Sequence, residues 1–180
     1  MEFQKILETR RSMRKYDPDK KVTESQVRQL IEAALLAPTW KNSETGRYYC
    51  VLSEEVRAKL REECLPAFNA KNCADAPALI VTAYKKNQSG YEADRVTATN
   101  ELGNGWGIYD LGLQNENLIL KAEDMGLATL VMGIRDADKI RELLEISEEE
   151  EIVSVISVGY PAAEPKQPPR KSVDEIAKFI

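Results

Sequence analysis

At 180 residues and 20.3 kDa the chain suits a single domain over residues 1–180 with a core of useful size. Its 43% hydrophobic and 31% charged content is that of an ordinary globular protein, and a net charge of −5 argues against nucleic acid as a general partner. No run approaches the roughly 18 apolar residues of a membrane span, and the opening residues lack an apolar signal core, so a cytoplasmic protein is expected.

In chain order, residues 2–10 place Phe3, Ile6, Leu7 and Arg10 on one side of a short helix. That helix delivers Arg10-Arg11-Ser12-Met13-Arg14-Lys15-Tyr16, a basic run stopped by Pro18 in an acidic protein. A solvated basic turn is the plain explanation. The sharper one is a phosphate, whose oxygens match the planar fork of arginine and a neighbouring hydroxyl. Thr23-Glu24-Ser25-Gln26 is a capping box, and Val27, Leu30, Ile31, Ala34 and Leu35 follow at helical spacing until the chain nears Pro38.

A polar loop over 38–46 precedes a strand at 47–52, and Ser53 is expected to cap a helix running to Cys64. Residues 65–77 look irregular. The apolar run Ala78 to Tyr84 predicts a central strand buried on both faces. Residues 85–100 are polar and predict a loop or a variable helix. The longest helix is expected over 106–125, with Ile108, Leu111, Leu118, Ile119, Ala122 and Met125 on one face and Leu113 and Leu120 on the other, so it should be buried under a sheet or against a second subunit. Gly126 is its expected stop. Strands at 127–132 and 152–160 flank a helix at 136–144, and Ser147 to Glu150 resembles a capping box for a short turn. A proline-rich tail then leads to Arg170-Lys171 and a last short helix or strand. Four strands and five or six helices without regular alternation indicate an α+β fold.

Chemistry is constrained most by an absence. The chain has no histidine, which excludes Ser-His-Asp and Cys-His catalysis and His-ligated metal or haem. Any redox chemistry is therefore expected from a bound cofactor, with no catalytic side chain. Cys50, Cys64 and Cys73 have no CxxC spacing and read as reduced thiols. Gly103-Asn104-Gly105-Trp106-Gly107 lacks the GxGxxG spacing and follows no strand, so it reads as a flexible lead-in to the long helix. Asp17, Asp75, Asp94 and Asp110 have no partner at a diagnostic spacing.

Several separated stretches together resemble the nitroreductase-like, FMN-dependent oxidoreductases. They are Arg10 to Tyr16, Ala37-Pro38-Thr39 with Asn42 downstream, Asp110 to Gly126 running into Leu127 to Gly133, and Val158-Gly159-Tyr160-Pro161 followed by Pro169-Arg170-Lys171. The resemblance implies an α/β sandwich with a central, mainly antiparallel sheet flanked by helices, and a homodimer with two FMN sites at the subunit interface. It implies hydride transfer from NADH or NADPH through FMN to a small electrophile such as a nitroaromatic or quinone. On that basis Arg10, Ser12 and Arg14 hold phosphate, ribityl or pyrimidine oxygens, and Arg170 with Lys171 closes on the phosphate. Asn42 bonds the ring, Pro38 and Thr39 line it from the partner chain, and Gly133 at a strand end admits it. Arg11, Trp40 and Met132 complete the cofactor-binding set. The pattern departs at Trp40, where a small residue is usual, and at Ser43 to Arg47. A flavin carrier or redox sensor without turnover, or a dehalogenating or flavin-cleaving enzyme on the same fold, remain alternatives.

Overall fold

The computed structural model describes residues 2–180. Four antiparallel strands form one sheet: β1 (Gly46–Val51), β2 (Ala78–Lys85), β3 (Ala128–Met132) and β4 (Glu150–Gly159), in the order β1-β2-β4-β3. The two central strands, β2 and β4, pair from Ala78↔Val158 to Lys85↔Glu150 with a bulge at Thr82/Ala83. Central placement explains the unbroken apolar run of β2, because both of its faces are covered.

Alternate residues of β2 divide the core in two. Leu79, Val81 and Ala83 pack with Leu60 of α3 (Glu54–Cys64) and Ile140 of α6 (Ala137–Leu144). Ala78 and Ile80 face Leu30 and Ala34 of α2 (Glu24–Leu35) and Leu118 and Ala122 of α5 (Gly105–Asp124). The result is an α/β/α sandwich, as expected. Helix α2 opens on the predicted box: Thr23 accepts from Gln26 N–H and the Gln26 side chain accepts from Thr23 N–H. Helix α5 lies under the sheet, and Gly126 ends it at φ 71°.

Several expectations need correction. Residues 65–77 are not wholly irregular, since α4 spans Ala67–Asn72, a helix too short to show apolar periodicity. Ser53 precedes α3 but its side chain makes no cap. The Ser147 hydroxyl accepts from Glu149 N–H and closes a turn, and β4 begins at Glu150, two residues earlier than expected, because its backbone already pairs with Lys85 of β2. Ile108, assigned to the buried face of α5, is 48% exposed. Phe3 and Leu7 of α1 (Phe3–Thr9) are also exposed, while Ile6 is buried. The tail is extended until α7 (Val173–Ile176), and no described helix is long and apolar enough to cross a membrane.

Candidate functional site

The basic run becomes part of the sheet edge. Helix α1 ends at Arg10, whose backbone turns extended, and Ser12 then bridges Thr129 in parallel while Met13 N–H donates to Thr129 O at 2.8 Å. Met13 and Tyr16 are buried in the core beneath this segment, and Ser12, Arg14 and Lys15 are exposed. Tyr16 locks the segment from below: its hydroxyl bonds Ser157 Oγ at 2.7 Å and Met13 O at 3.1 Å, and burial pushes its pKa up. On the other side, Asp17 N–H donates to Tyr160 O and Ala162 N–H to Lys15 O. Among the described residues none of Arg10, Arg11, Arg14 and Lys15 has an ion-pair partner. Arg11 points elsewhere than Ser12, lining a cavity of about 450 Å³ with Glu8, Glu123 and Glu164.

Strand β3 carries this edge to Met132 and Gly133. Gly133 is exposed, and a Cβ built there meets nothing within 4 Å. The carbonyls beyond it are pinned into the protein. Gly133 O accepts from Arg135 Nη1 at 3.3 Å, and Ile134 O accepts from Asn69 Nδ2 at 2.9 Å. A trans peptide puts N–H opposite C=O. The N–H groups of Ile134 and Arg135 therefore point away from those partners, and neither finds an acceptor among the described residues.

The 38–45 loop is built differently. A 3₁₀ turn over Trp40–Asn42 opens it, and Lys41, Asn42 and Glu44 all take left-handed φ values of 47°, 54° and 49°. Non-glycine residues there cost about 1–3 kcal/mol each and persist only when the surroundings fix them. Asp110 does the fixing. This carboxylate, 3% exposed, accepts from Trp40 N–H at 3.0 Å and Ser89 Oγ–H at 2.7 Å, and Ser89 in turn bonds Ser43 and Thr45. The Trp40 ring packs against Trp106 with centroids 4.6 Å apart and planes tilted by 48°, and Trp106 meets Tyr109 edge-on at 5.6 Å. Asn42 Nδ2 donates to Glu44 Oε1 at 3.2 Å, so the expected ring-binding amide already has a carboxylate partner. The neighbouring 85–105 segment, blank in sequence terms, is closed by mutual Asn87–Asn104 bonds and by Gly90, where a φ of 81° and the clash a Cβ would make with Gly103 O admit no side chain.

These parts do not meet within one protomer. The basic run touches the C-terminal end of α5, where Thr9 Oγ1 donates to Glu123, while the Asn42 loop is tied to Asp110 near its start. Thirteen helical residues separate the two by roughly 20 Å. Arg170 and Lys171 lie in the exposed tail, where Arg170 bonds only Pro168 O. The structure thus gathers Arg10, Ser12, Arg14, Met132 and Gly133 along one edge, and sets Pro38, Thr39, Trp40 and Asn42, and then Arg170 and Lys171, apart. Sequence reasoning missed Asn69, on the unpredicted α4, and the anchoring role of Asp110. A polar residue beginning a helix otherwise rich in apolar positions was the available signal for Asp110. For Asn69 there was none.

Comparison with known proteins agrees with this architecture. A protein of Archaeoglobus fulgidus, provisionally named NADH dehydrogenase/NAD(P)H nitroreductase, is 29% identical over 165 residues, covering 89% of this chain and 86% of its own. A Thermus thermophilus NADH dehydrogenase is 26% identical over 177 residues, 86% and 84% of the two chains. In structure, a provisionally assigned nitroreductase from Exiguobacterium sibiricum 255-15, solved in complex with FMN, superposes with a TM-score of 0.88 at 23% identity, covering 100% of this chain and 98% of that one. The Nitroreductase family profile matches residues 7–160, and the chain belongs to that family.

Proposed function

We propose that the protein is an FMN-dependent oxidoreductase that passes a hydride from NADH or NADPH to a small electrophile such as a nitroaromatic or quinone, working as a homodimer with a site at each end of the subunit interface. The observation that carries the reading is the sheet edge itself: a row of cations on backbone tied to β3, without counter-ions among the described residues, leading to a glycine with open space and two N–H donors unpaired among those residues. Such an edge fits FMN, whose phosphate needs cations and whose ring needs a flat approach and donors at its polar rim.

Bound FMN supplies the two-electron chemistry, accepting a hydride from a nicotinamide and yielding it to an acceptor. The chain's own residues bind and orient. Arg10, Ser12 and Arg14 would hold the phosphate and neighbouring oxygens. Arg170 and Lys171, on the exposed tail, would close over it. Gly133, with Met132 before it, would let the ring lie against the strand end, where the Ile134 and Arg135 N–H groups stabilise negative charge as it grows. Asn69 and Arg135 keep those donors aimed outward by holding the intervening carbonyls.

The roughly 20 Å between this edge and the Asn42 loop supports a second subunit as the source of Pro38, Thr39, Trp40 and Asn42. Exposed apolar residues on α1 (Phe3), α2 (Leu35, Leu36), α5 (Ile108, Tyr109) and the tail (Ile176, Phe179) provide apolar area for such an interface. Titration of the flavin-free protein with FMN, followed by fluorescence, tests the reading. One FMN per chain is expected, with sedimentation giving twice the chain mass. A stable flavin-loaded monomer would contradict the shared site.

A further inference from the structure

A second cationic site lies apart from the β3 edge. The segment after Pro18, the first two turns of α3 and the turn before β2 enclose a cavity of about 410 Å³. Lys20, Lys21, Arg57 and Arg61 line it, with Glu54 and Asp75. Arg57 and Arg61 are one helical turn apart, a spacing at which like charges repel. Burial, and then Arg61, lower the Arg57 pKa.

Backbone carbonyls hold both guanidinium groups in place. Arg57 donates from Nε to Leu52 O at 3.3 Å and from Nη1 to Ala76 O at 2.7 Å. Arg61 donates from Nη1 to Ala74 O at 2.8 Å. Neither arginine has a carboxylate within ion-pair distance among the described residues, and neither has Lys21; Lys20 pairs with Asp17 at 3.4 Å. The remaining N–H donors of each fork are thus fixed and unused. Orienting two planar forks in advance lowers the entropy cost of binding an anion, and arginine suits phosphate oxygens bidentately.

We infer that this cavity binds a phosphate or pyrophosphate group. Four cations against Glu54 and Asp75 in the lining, and Asp17 paired with Lys20, leave a net positive surplus that favours an anionic phosphate group. Lys20 and Lys21, on the segment after Pro18, line the same cavity; Lys20 also lies over the Tyr160 ring at 5.4 Å, which leaves Lys21 as the freer of the two. The residues are distinct from Arg10, Ser12 and Arg14, so the site is independent of the flavin reading.

Calorimetric titration of the FMN-saturated protein with inorganic pyrophosphate, and separately with ADP, tests the assignment. The same titrations without FMN, alongside Arg10→Ala, separate this cavity from the β3 edge. Saturable binding of either probe is expected, weakened at least about tenfold by Arg61→Ala or Lys21→Ala, partly retained in Arg61→Lys, untouched by Arg10→Ala and steeply reduced by salt. Tighter binding of ADP than of pyrophosphate identifies a nucleotide site, and the reverse an inorganic-anion site; either supports the inference. Lys21 makes no hydrogen bond, so its variant remains informative if Arg61→Ala perturbs folding. Absence of binding by both probes at low salt, or binding that neither Arg61→Ala nor Lys21→Ala weakens, would overturn it.

Discussion

Asn69 Nδ2 donates to the carbonyl of Ile134 at 2.9 Å and so ties α4 to the end of β3. Asn69 is 6% exposed, so little water can replace its amide. Replacing it by leucine leaves that carbonyl unpaired, at a cost of about 1–3 kcal/mol. Urea denaturation of Asn69→Leu should show this loss. On the proposed function, FMN affinity should fall as well, because the donors beyond Gly133 are no longer held outward.

Asp110 makes a similar test of the loop. Its carboxylate is the shared acceptor for Trp40 N–H and Ser89 Oγ–H, and three left-handed residues depend on that anchorage. Asp110→Ala is expected to destabilise the fold by about 2–4 kcal/mol, two charge-assisted bonds being lost. Tryptophan fluorescence should change in parallel, since the Trp40–Trp106 contact is set by the same loop. A stable variant with unaltered emission would show that the loop is fixed by something else.

The cationic edge predicts a binding defect without a folding defect. Arg10→Ala combined with Arg170→Ala should weaken FMN by about 1.5–3 kcal/mol per lost contact. The thermal transition of the flavin-free protein should hardly move, because neither side chain is ion-paired and Arg170 bonds only its own tail. Retention of full affinity would return the basic run to a solvated turn.

Alkaline pH should unfold the protein in a defined window. Burial pushes the Cys64 and Cys73 thiols up to about 11, from an ordinary value of 9.0. Burial, then the hydrogen bond to Glu150, pushes Tyr49 up to about 12, and burial does the same for Tyr84, from 10.0. The unfolded chain releases these protons first, so above about pH 9 it binds fewer protons than the native state and stability falls. The contribution is complete below the unfolded values and is lost as pH rises through the folded ones. Melting temperatures measured from pH 7 to 11 should decline above 9, and Cys73→Ala should flatten the decline.

Much of this was legible because local signals agreed with the fold. The Thr23–Gln26 box, the unbroken apolar strand at 78–84 and the Gly126 stop each encode their structure in a few adjacent residues. Helix α4 was not legible: six residues with one buried polar side chain carry no periodicity, and its tertiary ties, Asn69 to Ile134 O and Ala70 on the core, lie far away in sequence. The surface placement of Ile108 was misread for a related reason, since a helix apolar on several sides does not declare which of them meets the sheet. The site was half legible. Composition flagged the arginines, but the separation of the basic run from the Asn42 loop follows from α5 running between them, a tertiary distance that no local spacing encodes.

On the proposed function a flavin is held at the β3 edge and reduced there by a nicotinamide. The visible absorption spectrum of the purified, FMN-saturated protein, taken before and after anaerobic NADH or NADPH, tests it most directly. Bound flavin bands that bleach on addition and return with a quinone or nitroaromatic acceptor are the predicted result. A protein that takes up no FMN, or whose bound flavin stays oxidised with both nucleotides, would contradict it.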